Sequence, residues 1–378
     1  MKIVYLSNSI IPSRTANSIH VMKMCQAFAK LDNDVTLLAP DVDEVESKSY
    51  DSYSYYDVER TFVVKKLFWP SIKGRAYLYG LSIARQVKKI KPDLVYGRFL
   101  IGCYLSSKFL NVPVVFEAHQ QTNDAGIVQN FLFKKLIKKS NFKKLVVISE
   151  ALKHHYSENY CIESSKILVA HDGADIPCKE IVTVHLKGDE KRVNVGYVGQ
   201  LYSGKGMEVI SKIAPKCPWA NFHIVGGLEK DIKYWKKQLN SIENVFFYGF
   251  IPHSETVGYL KAFDILLAPY QKNVSGYGSG KSNLSQWMSP LKIFEYMSLG
   301  KPIVASDLDV LREVLKNKEN SILCDPEDIE EWVEALNFLS KDNKLRELIG
   351  QRAKEDFSIN YTWNNRAKNI VENIYLNQ

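Results

Sequence analysis

Short apolar runs rich in β-branched residues alternate with longer amphipathic stretches along almost all 378 residues. No other feature limits the fold as strongly. Strands this apolar must be covered on both faces, which calls for parallel pairing with helices as crossovers. Candidate strands are Lys2–Ser7, Asp34–Ala39, Asp93–Gly97, Pro113–Ala118, Leu145–Ser149 and Ile167–Ala170. A polar, mixed segment, Cys178–Lys191, breaks the rhythm and reads as a linker. The rhythm resumes with Val193–Gly199, Asn221–Gly227, Asn244–Phe250, Ile265–Pro269, Pro302–Ser306 and Ser321–Cys324. Helical patterns fill the gaps, as at Ser18–Leu31, Lys205–Ile213 and Ile329–Leu339. The expected class is therefore α/β, with two doubly wound Rossmann-like domains over 1–178 and 192–358. Ligands bind at the carboxyl ends of parallel strands, so the site is expected in the cleft between the domains.

Composition narrows the partners. The six cysteines are scattered, with no C-x-x-C pair, and read as small buried residues of a reducing compartment. The opening MKIVYLSNSI has too short an apolar run for a signal peptide. No apolar run reaches the ~18 residues of a membrane span. The expected location is the cytoplasm. The net charge of +8 is uneven: residues 60–145 hold 17 Lys/Arg against 3 Asp/Glu. This block contains FLFKKLIKKSNFKKL (Phe131–Leu145), which reads as a basic amphipathic helix. Such a helix suits the anionic inner face of a membrane, and equally an ordinary solvated surface. Nucleic acid is not an expected partner, because no binding signature accompanies the charge.

Three motifs bear on chemistry. GYVGQLYSGKG (Gly196–Gly206) follows a strand, and its glycines allow a tight turn and close backbone approach. Lys205 stands where a helix is expected to begin, so an anion there would meet an ammonium and free amides. In SPLKIFEYMSLGKPIVASD (Ser289–Asp307), Ser289 is the expected N-cap and Pro290 opens the first turn. Leu291 and Lys292 then lie at a helix N-terminus, with Glu295 on the same face. The alternative is a plain Lys–Glu surface pair. SGYGSGKS (Ser275–Ser282) imitates a phosphate loop, but the first Gly is one residue late and no helical pattern follows. A mobile Gly/Ser loop is the expectation there.

Taken together, LKIFEYMSLGKPIVASD, GYVG-x5-KG, YGFIPHSE and the opening KIVYLSNSIIPS resemble the retaining glycosyltransferases of the GT-B fold, family four. VFEAHQ, VISEALK, VAHDGAD and YTWNNRAKNIVENIY extend the resemblance over nearly the whole chain. A subgroup with a Ser-Pro-x-Lys pattern is the nearest likeness. The resemblance implies a donor site at Gly199, Gln200, Lys205, Phe250, Ile251, Ser289, Leu291, Lys292 and Glu295. Lys205 would hold the donor diphosphate and Glu295 the ribose, with Phe250 and Ile251 reading the base through backbone. Gln200 stands where the family usually has Arg, and Trp287 where it often has a first Glu; Lys292 can restore the charge Gln200 lacks. His119 would lie beside the transferred sugar, and Asn17, Ser18 and Arg98 on the acceptor side. A terminal helix within 359–378 would cross back to the first domain.

The implied reaction transfers a sugar from a nucleoside-diphosphate sugar, UDP ahead of GDP, to a glycan acceptor with retention. His119, Lys205 and Glu295 are the expected catalytic residues. No metal or other cofactor is expected: Asp307-x-Asp309 lies beyond the helix and strand and reads as a loop cap. The acceptor is expected to be lipid-linked, as in bacterial surface polysaccharide assembly. A nucleotide-sugar epimerase of the same fold and a non-catalytic sugar-nucleotide or membrane-binding scaffold are the alternatives.

Overall fold

The computed structural model describes residues 1–42, 51–122, 126–177, 180, 182–275 and 283–375. It divides into two compact units, residues 1–172 with 363–378, and residues 173–362. Unit 1 runs β1 (Lys2–Leu6), α1 (Ala16–Ala29), β2 (Asp34–Asp41), α2 (Ser52–Tyr55), β3 (Val63–Phe68), α3 (Arg75–Ile90) and β4 (Leu94–Gly97). It continues through α4 (Leu100–Leu110), β5 (Val114–Ala118), α5 (Ile127–Leu136), β6 (Phe142–Val147), α6 (Glu150–Tyr160) and β7 (Ile167–Val169). Unit 2 begins with β8 (Val193–Val198), α7 (Met207–Ile213), β9 (Ala220–Val225), α8 (Glu229–Gln238), β10 (Val245–Gly249) and α9 (His253–Ala262). Next come β11 (Ile265–Ala268), α10 (Leu291–Ser298), β12 (Ile303–Ser306), α11 (Asp309–Arg312), β13 (Ile322–Cys324), α12 (Ile329–Lys341) and α13 (Asn343–Asn360). The last helix, α14 (Trp363–Tyr375), belongs to unit 1 and packs on α1.

Each unit holds one all-parallel sheet. The orders are β3-β2-β1-β4-β5-β6-β7 and β10-β9-β8-β11-β12-β13. Both are doubly wound, with strand order reversing at β1/β4 and at β8/β11. Alternate residues of one strand serve opposite faces. Ile265 and Leu267 join a cluster with Ile210 of α7 and Trp332 of α12, whereas Leu266 and Ala268 pack with Phe294 and Met297 of α10. Burial on both faces explains why these strands read as unbroken apolar runs. Cys25, Cys103, Cys217 and Cys324 are buried in the units, and Cys161 is exposed.

The structure departs from the expectations at three places. Val63–Phe68, which reads VVKKLF, forms an unexpected strand, β3, at the sheet edge beside β2. Its two lysines mask the apolar signal and also suit an edge, where charge discourages pairing with another chain. The expected basic helix Phe131–Leu145 is cut in two: α5 ends at Leu136, and Phe142–Leu145 lies in β6. Asn141 makes the break, with its side-chain amide donating to the carbonyls of Ser107 (3.1 Å) and Val112 (2.8 Å). Phe142 and Leu145 are then buried, and Lys144 donates through its Nζ to the Ser165 carbonyl. Finally, Pro290 rather than Ser289 is the N-cap of α10, and Lys205 precedes α7, whose N-cap is Gly206. Neither cap supplies a side-chain acceptor.

Among the described residues no helix is long and apolar enough to cross a membrane. Gly276–Ser282 of the SGYGSGKS stretch fall outside the described residues. The chain on either side is tied to the loop after β8: Ser275 N donates to Ser203 O (3.1 Å) and Gln271 N to Gly204 O (2.9 Å). Gly204 has φ +79, and a Cβ there would run into the Asn273 carbonyl. Gly204→Ala therefore meets both left-handed strain and a backbone clash. It is expected to destabilise the protein by about 2 kcal/mol or more, read as a lowered melting temperature beside an unchanged surface control such as Lys237→Ala.

Candidate functional site

In unit 2 the sheet order places the ends of β8 and β11 side by side, where a doubly wound sheet opens a ligand crevice. After β8 the chain turns at Gly199, with φ +150. A side chain there would press on Lys292 Nζ, 2.8 Å from an ideal Cβ, so glycine makes room for the ammonium. Lys292 Nζ lies 3.8 Å from the Tyr197 ring centroid and 5.1 Å from that of Tyr270. Lys205 Nζ approaches Tyr270 at 5.5 Å. Two ammonium groups thus converge on one tyrosine just beyond β11. Aromatic faces hold cations, but weakly compared with a carboxylate.

The electrostatics leave this pair wanting a counter-ion. Burial pushes Lys292 well below the lysine range; neighbouring Lys205 pushes it further and Glu295 offsets part of this. Burial pulls Lys205 down to about 8. Lys292 Nζ has no hydrogen-bond partner among the described residues, nor has the buried Gln200 Oε1. The first amides of α10, at Leu291 and Lys292, open beside them without a side-chain cap. An anion would satisfy both ammonium groups and the amides together.

Glu295 stands one turn along α10, with its side chain 19% exposed. Its Oε1 lies 2.8 Å from Nε2 of His253, the first residue of α9. This bond brings the Phe250–Ile251 loop, between β10 and α9, toward the start of α10. Phe250 is partly exposed, and Ile251 packs on the core. Ser289 is buried two residues before α10. Trp287 closes a short 3-10 turn, its amide donating to Leu284 O (3.0 Å). Tyr296 fixes α10 to the sheet, its hydroxyl accepting from Val198 N at 3.0 Å. Gly199, Gln200, Lys205, Leu291, Lys292 and Glu295 are therefore brought to one edge of unit 2. Asp307 is held elsewhere by Arg312, at 2.5 Å and 2.6 Å, and Asp309 joins the same arginine at 3.4 Å.

Unit 1 has a second cluster at the ends of its strands. Glu117 of β5 is fully buried, and three groups surround its Oε1. These are His119 Nε2 (2.5 Å), Arg366 Nη2 of α14 (2.8 Å) and His20 Nε2 of α1 (2.9 Å). Tyr96 donates to its Oε2. His20 Nδ1 lies 2.9 Å from Asp172. Burial alone would raise the Glu117 carboxyl, but Arg366 and the flanking histidines hold it well below the usual range. Asp172, opposed in the same way by burial, is held at about 2, chiefly by His20. His20, Glu117, His119 and Asp172 have ligand atoms within 4.8 Å of one another, a spacing a metal ion could use. Arg366 already brings a positive charge to that centre, so we read it as an ion-pair network.

Burial, then Arg98, pull His119 down to about 4. Its side chain is 17% exposed, whereas Glu117 beneath it is not exposed at all. Of the acceptor-side candidates, Asn17 Oδ1 and Arg98 Nη1 are buried without partners among the described residues. Ser18 differs: it is buried, and its hydroxyl donates within its own turn, to Ser13 O (2.9 Å) and Thr15 O (2.8 Å). The turn spends that group.

Sequence reasoning missed Tyr197, Tyr270 and His253 in unit 2, and Glu117, His20, Asp172 and Arg366 in unit 1. One signal was available: a carboxylate inside the apolar strand VVFEA has to be paired. The partners of Glu117 lie as far as 249 residues away and carry no local signal.

Comparisons with known proteins bear on the fold and the family. Residues 18–176 match the model for Glycosyltransferase Family 4, and residues 180–356 that for Glycosyl transferases group 1. An uncharacterized glycosyltransferase of Methanocaldococcus jannaschii is 28% identical over 63% of this chain and 60% of its own, so the chain spans somewhat under two thirds of that relative. One from Haemophilus influenzae is 26% identical over 76% of this chain and 79% of its own. Among solved structures, Anabaena HepE in complex with UDP and glucose superposes with a TM-score of 0.74 at 17% identity, covering 100% of both chains. The two parallel-sheet units are those of the GT-B fold, and the family models over the two parts of the chain support a glycosyltransferase of the family-four type.

Proposed function

We propose that the protein transfers a sugar from a nucleoside-diphosphate sugar, UDP ahead of GDP, to an acceptor hydroxyl with retention. The observation that carries this is the pair Lys205 and Lys292, gathered on Tyr270 beside the uncapped start of α10 with, among the described residues, no carboxylate bonded to either ammonium. HepE, which has the same fold, is in complex with UDP and glucose. As the bond from the sugar anomeric carbon to the diphosphate breaks, charge builds on the departing oxygens. Preplaced ammonium groups and amides stabilise that charge without reorganising. The acceptor oxygen bonds the anomeric carbon on the face the diphosphate leaves, and the acceptor proton passes to a departing phosphate oxygen. Glu295, held by His253, accepts from the ribose hydroxyls, and the Phe250–Ile251 backbone reads the base. His119, Asn17 and Arg98 serve the sugar and acceptor from unit 1.

The acceptor is a lipid-linked glycan, and unit 1 rests on an anionic membrane surface. Helices α3, α4 and α5 pack side by side. They expose Leu78, Leu81, Phe109, Val128 and Phe131, with Ile127 89% exposed. Lysines lie over these rings: Lys108 Nζ is 5.3 Å from the Phe109 centroid and Lys135 Nζ 5.4 Å from that of Phe131. Apolar tips among cations match an interface of acyl chains below anionic headgroups.

Three outcomes test these points. In a thermal-shift series with UDP, GDP, ADP and ATP, UDP is expected to raise the melting temperature, and Glu295→Ala to remove most of the shift. Stabilisation by ATP alone, untouched by Glu295→Ala, would overturn the assignment. Replacing Lys292 by Met removes a buried, unbonded amine. The free protein is expected to gain about 1 kcal/mol while the UDP shift disappears; a variant that still responds to UDP like wild type would remove Lys292 from the donor site. In flotation with vesicles, binding is expected to rise with phosphatidylglycerol content and fall between 50 and 300 mM salt at roughly Debye-length screening. Phe131→Ser/Ile127→Ser should weaken it; equal binding to neutral vesicles would sink the membrane surface.

A further inference from the structure

We propose that Glu117 and Arg366 are positioning residues that fix the ring of His119 in one tautomer, so that its Nδ1 offers a lone pair to a sugar hydroxyl. This rests on the functional reading in which His119 works beside the transferred sugar. The geometry begins with Nε2 of His119, 2.5 Å from Glu117 Oε1. An ionised carboxylate has no proton to give, so the Nε2 proton must lie between the two groups and Nε2 is the donor. With His119 pulled down to about 4, chiefly by burial and then by Arg98, the ring is neutral near pH 7. A neutral ring has one N–H only. Once Nε2 carries it, Nδ1 is an acceptor.

The next link is what keeps Glu117 ionised and still. It is buried in a five-residue strand that is otherwise apolar. An unpaired carboxylate there would take up a proton or shift. Arg366 prevents both. Its Nη2 donates to Glu117 Oε1 at 2.8 Å and to the Ala170 carbonyl at 3.1 Å, and its Nε donates to the His171 carbonyl at 2.8 Å. Tyr96 holds the other carboxylate oxygen. The groups facing the His119 ring are therefore Glu117, His20, Asp172 and Arg98, with His20 packed edge-on at 4.8 Å between centroids. Trp363, at the start of α14, packs edge-on against His20 at 5.3 Å between centroids. The last helix of the chain thus sets the proton on a histidine in the fifth strand's loop. Its chemical consequence is a preference: an acceptor nitrogen selects a ligand with a hydroxyl at that position over one lacking it.

The test combines a structural readout with kinetics. Nitrogen-15 NMR of the histidine rings distinguishes the two neutral tautomers, with His119→Gln identifying the signal. Wild type is expected to show His119 neutral and protonated on Nε2 from pH 6 to 8. In Glu117→Gln the amide can donate, so the ring is expected to invert, with Nδ1 protonated. Transfer to acceptor should then fall about 100-fold in kcat/KM, while the UDP thermal shift stays at its wild-type value. Arg366→Met takes the guanidinium from Glu117 Oε1 and is the variant most exposed to misfolding. Glu117→Gln/Arg366→Met removes both charges and should be no slower than Glu117→Gln alone, since the two act through one ring. If Glu117→Gln leaves both tautomer and kcat/KM within twofold of wild type, the inference falls. If wild-type His119 carries its proton on Nδ1, it falls at once. If UDP fails to bind wild type, the functional reading fails instead, and the tautomer measurement still decides this one.

Discussion

A parallel sheet covered by helices on both faces leaves chemistry one place to go. Its faces are filled by side chains such as Leu266 and Leu267, which point into opposite clusters. Its backbone groups are spent on the ladders between strands. In such sheets ligands bind at the carboxyl ends of the strands, most accessibly where the strand order reverses. Both clusters described above obey that constraint. Gly199 and Tyr270 follow the neighbouring strands β8 and β11. His119 follows β5, and Arg98, whose amide donates to Leu6 O at 3.0 Å, follows β4 at the reversal of the first sheet.

The two units solve buried charge in opposite ways. In unit 1 the buried carboxylates face opposing groups: Arg366 and the flanking histidines hold Glu117 low, and His20 does so for Asp172. That arrangement is suited to holding a ring still. In unit 2 the lysine pair has aromatic rings where carboxylates would stand, and burial pushes both lysines downward. That arrangement is incomplete until an anion arrives. The contrast sets a network suited to positioning beside a pair suited to receiving an anion. The stability given up at Lys205 and Lys292 is the source of the affinity proposed for the diphosphate.

Much of this was legible before any coordinate. The twelve strands read from the apolar rhythm all form, because strands buried on both faces are continuous in sequence. The edge strand β3 was not legible: its Lys65 and Lys66 hide a period that only pairing with β2 reveals. The basic run Phe131–Leu145 reads as one helix because its apolar residues alternate with lysine pairs, a pattern that does not announce the interior strand β6. Asn141 decides otherwise, through carbonyls of Ser107 and Val112 that no local pattern announces. Ser18 looked available and is spent on its own turn, since a hydroxyl's partners depend on loop geometry.

The amino-acid sequence by itself determined the two-unit α/β architecture, the glycine turn at Gly199 and the presence of Lys205, Lys292 and Glu295 just after strands or at a helix start. These follow from periodicity and spacing, which act over a few residues. Only the tertiary structure decided which groups meet. It set Lys292 against Tyr197 and Lys205 against Tyr270, joined His253 to Glu295, and brought Arg366 to Glu117 across 249 residues of chain. Burial and charge pairing at that range depend on how whole layers pack, and a linear pattern does not carry that information.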